Sequence, residues 1–123
     1  MSISGEDCES DPPVPGQVVA GQYRAGGAWV ITARGDLDLE SLPPLRAALD
    51  AAAAAHPVVV LDVGAVTFGD STFLGVLLAV RQLTALRVAG AGQTLLRLFS
   101  VVGADLVLDL YGSVEEALAA EPA

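Results

Sequence analysis

The run Val58-Val59-Val60-Leu61-Asp62-Val63 decides the architecture. Five of its six residues are apolar, and four are β-branched valines that fit a pleated strand. A strand with one solvated face would alternate apolar and polar side chains. This one does not, so it reads as a strand buried on both faces, as in a parallel sheet between two layers. His56-Pro57 precedes it and stops any helix coming from upstream.

Reading outward, the same grammar repeats. Gln17-Val18-Val19-Ala20 and the run 28–33 are β-like, and Gly26-Gly27 between them suggests a hairpin. Ser41 is placed to cap a helix whose first turn accepts Pro43 and Pro44 and which continues through Leu45 and Leu49. A second helix is expected over 72–82, a short strand over 86–89, and a third helix on Leu95, Leu96, Leu98, Phe99 and Val102, capped by Gly103. A last strand is expected over 106–109. Ser113 with Glu116 forms a capping box for a final short helix. The order ββαβαβαβα predicts a single α/β domain: a mostly parallel or mixed sheet of about five strands with helices packed on it.

At 123 residues the chain fits one compact domain. Residues 1–16 carry Glu6, Asp7, Glu9 and Asp11 with three prolines and few apolar side chains, and read as a disordered acidic tail before a domain over 17–123. Net charge is −9, and all six basic residues are arginine. So acidic a surface repels phosphate backbones and anionic lipid, which points to a protein partner rather than nucleic acid or a membrane. The mean hydropathy of +0.57 owes much to alanine. The uninterrupted apolar stretches fall far short of the roughly 20 residues of a membrane span. No basic segment with an apolar core opens the chain, so a cytoplasmic location is expected. With one cysteine, Cys8, and one histidine, His56, a Cys/His metal site is excluded by counting.

The chemistry concentrates in Phe68-Gly69-Asp70-Ser71-Thr72-Phe73-Leu74-Gly75, at a strand-to-helix junction. Gly69-Asp70-Ser71 has the start of an esterase-type block, but a serine nucleophile needs a base, and no histidine follows it. Gly90-Ala91-Gly92, with Asp109 downstream, is a partial dinucleotide fingerprint in which Leu95 replaces the third glycine. A tight strand-to-helix turn explains it equally well. Asp36, Asp38 and Glu40 alternate in a loop, and lack the glycine and terminal glutamate of a calcium-binding loop. No cofactor is therefore implied. Asp70, Ser71 and Thr72 are all good helix caps where only one is needed, so a hydroxyl is left over as a candidate modification site.

This stretch resembles the signature of STAS domains of the anti-sigma-factor-antagonist type: a buried strand, a hydrophobic pair, Asp-Ser-Ser/Thr-Gly-Leu-Gly, then a helix. "ARGDLDLESLPPLRAAL" and "LLRLFSVVGADLVLDLYGSVEEAL" resemble the same family's upstream and closing segments. The resemblance covers about residues 17–120. It implies a non-enzymatic binding switch. Unphosphorylated, such a protein binds a kinase-type anti-sigma factor. The kinase phosphorylates the serine, which releases it, and a metal-dependent serine phosphatase reverses the step. Carried over, Ser71 is the acceptor and Thr72 a secondary one, and Asp36, Asp38, Asp70, Thr72 and Phe73 are the expected partner contacts. The alternative is a phosphorylation-independent STAS binding module in a larger regulatory or sensory complex. A homodimer is left open. Two departures stand out: Phe73 where the family usually has glycine, and a segment from Gly75 to Leu86 several residues shorter than usual, which ends the second helix near Gln82.

Overall fold

The computed structural model describes residues 18–120; the acidic tail expected over 1–16 and Cys8 within it lie outside the described residues. The chain forms β1 (Val19–Ala25), β2 (Ala28–Leu37), α1 (Pro43–Ala55), β3 (Val58–Gly69), α2 (Ser71–Val80), β4 (Ala85–Ala89), α3 (Gln93–Val102), β5 (Asp109–Tyr111) and α4 (Val114–Ala119), in the expected order ββαβαβαβα. The sheet has strand order β1-β2-β3-β4-β5. β1 and β2 are antiparallel, and the other three pairs are parallel.

β3 is the central strand, and its run of valines is buried because both faces are covered. Val59, Leu61 and Val63 face the larger core, with Leu45 and Leu49 from α1, Phe73 and Leu77 from α2, and Leu95 and Phe99 from α3. Val60 faces the other side, where Ala117 of α4 packs with Val30 and Ala89. Three helices therefore lie on one face and one short helix on the other. At about 25 cal/mol per Å² of apolar surface, a buried Val, Leu or Phe contributes roughly 1.5–3 kcal/mol. The larger core, with 22 buried apolar residues, 18 of them Val, Leu or Phe, supplies most of the stabilisation.

Several boundaries differ from those read off the sequence, for identifiable reasons. β1 extends to Ala25 because the two-residue Gly26-Gly27 turn, with Gly26 at φ 61°, lets Ala25 pair with Ala28. β2 and β3 run on to Leu37 and Gly69 because their distal halves pair with each other through two register shifts, the second beside Gly35 at φ 77°. Ser41 does not cap α1: the N-cap is Leu42 with no side-chain bond. Pro43 and Pro44 have no amide hydrogens, so the N2 donor that a cap would satisfy is missing. The last strand is Asp109–Tyr111 rather than 106–109, because Gly103 at φ 80° leads into a 3₁₀ turn, Ala104–Leu106. The Leu108 amide donates back to the Ala104 carbonyl at 2.9 Å. His56 ends α1, Gly103 ends α3, and Ser113 accepts from the Glu116 amide at 3.1 Å, all as expected. Trp29 packs at the sheet's lower end, its ring stacked on His56 with centroids 4.9 Å apart.

α2 is short and ends at Val80 with Arg81 as C-cap. Phe73, Val76, Leu77, Val80 and also Leu74 are buried, which leaves Leu78 as its exposed large apolar residue. Phe73 is wholly buried, and its ring fills the space above Gly69: a Cβ at Gly69 would lie 2.7 Å from Phe73 Cδ2 and 3.3 Å from Leu95 Cδ2. The large residue at 73 is thus accommodated by the absent one at 69. Gly69→Ala is expected to lower stability by about 1–3 kcal/mol, read from the urea midpoint at unchanged slope. Phe73→Leu in that background should recover part of the loss. Wild-type stability for Gly69→Ala would show that the two positions do not compete for space.

Candidate functional site

The upper end of the sheet is assembled by the parallel pairing of β2 with β3. Leu37 and Gly69 are partners in register, so Asp38 and Asp70, each one residue further on, leave the sheet side by side. The Asp70 amide donates to the Leu37 carbonyl at 3.3 Å, which ties the α2 junction to the end of β2. Asp70 is extended and caps α2: its Oδ1 accepts from the Thr72 amide at 3.0 Å and the Phe73 amide at 3.2 Å. Of the three candidate caps, Asp70 takes the role. Ser71 is left as the first helical residue with its side chain exposed, while Thr72 is half-buried.

The neighbouring loop is shaped by its own carboxylates. Asp38 Oδ1 accepts from the Ser41 amide at 2.9 Å and the Glu40 amide at 3.1 Å, and Ser41 Oγ donates to the Asp36 carbonyl at 2.7 Å. Asp36 accepts the hydroxyl of Thr67 on β3. Asp36 and Asp38 therefore hold loop geometry and engage different partners, rather than converging with Glu40 on one point. The Ser41 amide above all, then the Ser41 hydroxyl, holds the Asp38 carboxyl below its ordinary value.

Ser71, Thr72, Asp36, Asp38 and Asp70 all lie at this end. Phe73 does not present its ring there: burial places it in the core, and its expected role as an aromatic contact is corrected accordingly. The exposed apolar residues flanking Ser71 are instead Leu39, 69% exposed, and Phe68, 48% exposed. Beside them a groove of about 370 Å³ runs between α1 and α2, lined by Leu39, Leu42, Pro43, Arg46, Thr72 and Val76 among others. Sequence reasoning missed this groove.

The rival chemistries find no support in this geometry. His56 sits at the lower end of β3 and Ser71 at the upper end, with a twelve-residue strand between them. At about 3.3 Å per residue they are separated by roughly 35–40 Å, far beyond proton-transfer reach. Gly90, at φ 79°, turns the chain where its backbone packs on Gly64, and its amide donates to the Tyr111 carbonyl at 2.9 Å. The glycines of that turn thus have a packing reason.

Comparison with known proteins agrees with the fold. The family model described as "Mlab, STAS domain" matches residues 21–111. The chain belongs to the STAS family. This STAS domain is similar to the crystal structure of an anti-sigma factor antagonist from Mycobacterium paratuberculosis, at 27% identity and a TM-score of 0.77, over 85% of this chain and 94% of that one. It shares its fold with SpoIIAA in the unphosphorylated form, at 21% identity, a TM-score of 0.66, and coverage of 79% and 90%. It shares it also with the Bacillus cell fate determinant SpoIIAA in the phosphorylated form, at 19% identity, a TM-score of 0.62, and coverage of 79% and 94%. No curated protein matches the chain. Among the described residues, no helix is long and apolar enough to cross a membrane.

Two outcomes test this geometry. Asp70→Ala should lose about 0.5–2 kcal/mol of unfolding free energy through the two α2 amides it leaves unmet. A group whose folded pKa is depressed stabilises the fold above its unfolded value and loses that contribution as pH falls through the folded value. The melting temperature of Asp38→Ala should therefore lie below wild type by a constant margin above about pH 5, and the margin should narrow as pH falls below the ordinary aspartate value of about 3.9. A margin that widens on acidification would contradict the assignment.

Proposed function

We propose that this STAS domain is an anti-sigma-factor antagonist whose partner binding is set by phosphorylation of Ser71. The observation that carries the reading is the division of labour at the α2 junction. Asp70 does the capping, so the exposed Ser71 hydroxyl has no structural duty and can be modified without unfolding the helix. The partner is an anti-sigma factor of the kinase type, which would dock on the upper end formed by Asp36, Asp38, Asp70 and Thr72, with Leu39 and the α1–α2 groove supplying apolar contact. A serine phosphatase would restore the binding form.

Magnitudes favour a change in binding over a change in fold. The added charge of about −1.5 to −2 sits at an exposed helix N-terminus, where the dipole favours an anion by roughly 0.3–1 kcal/mol. Repulsion from Asp70 in water is about 1 kcal/mol per unit of that charge at 4 Å, and both effects scale with the charge. The two nearly cancel in the free domain. Buried in an interface, the same dianion loses its water at a cost of several kcal/mol, enough to lower affinity by a factor of about a thousand or more.

The test uses wild type, Ser71→Ala and Ser71→Asp as baits in native lysate, with retained proteins identified by mass spectrometry. An ATPase-fold kinase should stay on the first two and leave the third, and that kinase with ATP should place phosphate on Ser71. Retention of the same partners by all three baits would instead make this a constitutive docking module.

A further inference from the structure

At the opposite end of the sheet from Ser71, α4 lies over the lower ends of β3 and β4. Beneath its last turn is Arg87 of β4, 7% exposed and the one buried charged residue among those described. Its Nη1 donates to the Ala117 carbonyl at 2.7 Å, a helix-end carbonyl that carries partial negative charge. A guanidinium has five N–H donors, and this bond uses one. Among the described residues no carboxylate lies within ion-pair distance of it; the nearest in register, Asp109 on β5, forms no such pair. Arg87 lines a cavity of about 600 Å³ whose other walls are the Gly26-Gly27 turn, Ala28, Val58 and Leu118. That volume lies in the ordinary range for small-molecule sites, which are mostly apolar with a few placed polar groups.

We propose that this cavity is a binding site for a small amphipathic monocarboxylate. A buried cation without a counter-charge is costly, and an anion entering the cavity would remove that cost. The planar fork of a guanidinium matches a carboxylate. One cation in an apolar lining balances one negative charge. A phosphate monoester would bring nearly two, with the Ala117 carbonyl dipole adding repulsion. The apolar body of the ligand would lie against Ala28, Val58 and Leu118. The site is independent of Ser71, which stands at the far end of β3.

The test is a titration of the ¹⁵N-labelled full chain with sodium octanoate, followed by amide shifts, with 1-octanol as the uncharged control. Saturable shifts are expected at Gly26, Gly27, Val58 and Ala117, with octanol at least about tenfold weaker. Arg87→Met should weaken octanoate to the level of octanol. Because that change also cuts a tie to α4, Gly27→Phe, which narrows the mouth and keeps Arg87, should independently abolish the shifts. Glu121 follows the cavity-lining Ala120 in sequence, and Glu121→Gln is expected to leave octanoate affinity unchanged within about twofold. No saturable shifts in wild type, or equal binding of octanol, would overturn the proposal. So would binding that appears only in Glu121→Gln, which would assign Arg87 to the chain's own carboxylate.

Discussion

The parallel pairing of β2 with β3 is the constraint on which the rest of the molecule depends. β3 is apolar along most of its first half because helices cover both faces, and that burial fixes which residues point to which layer. A slip of one residue would turn Val59, Leu61 and Val63 out of the larger core, so the register is strongly specified. Once it is fixed, Leu37 meets Gly69, and the two chains leave the sheet together at Asp38 and Asp70. Strand register is what brings Asp36 and Asp38 beside the local cluster Asp70-Ser71-Thr72.

The structural duties at the junction fall on residues other than Ser71. Asp70 spends its carboxylate on the amides of α2, and Asp36 and Asp38 spend theirs on the β2–α1 loop and on β3. Phe73 anchors the first turn from inside by filling the volume that Gly69 leaves. These contacts fix the loop and the first helical turn beside Ser71 without using its hydroxyl. A residue held in this way can gain charge and leave its surroundings unchanged. A partner lying across it would feel the full cost of desolvating that charge.

Much of this was legible in the sequence because it rests on local rules. The unalternating run of 58–63 marked a doubly buried strand, and His56-Pro57, Gly103 and Ser113 with Glu116 marked helix ends that the structure reproduces. The failures come from non-local effects. Strand lengths were underestimated because the distal halves of β2 and β3 are held by pairing with each other, not by strong strand propensity. Leu106 and Val107 look like strand residues, but the left-handed Gly103 and the turn after it leave them exposed. Phe73 read as a surface ring because its complement, Gly69, becomes meaningful only when both side chains are placed in space. The α1–α2 groove had no linear signature, since it is the space between two helices.

The central claim is that charge at Ser71 controls docking and leaves the fold alone. The most direct measurement takes one preparation of the domain, fully phosphorylated at Ser71 and confirmed by mass, beside its unmodified twin. Thermal unfolding of each is recorded, together with calorimetric affinity for the same kinase-type partner. The account expects melting temperatures within about 2–3 °C of each other and affinities that differ by a factor of about a thousand. Equal affinities, or a phosphorylated form that unfolds well before it loses its partner, would contradict it.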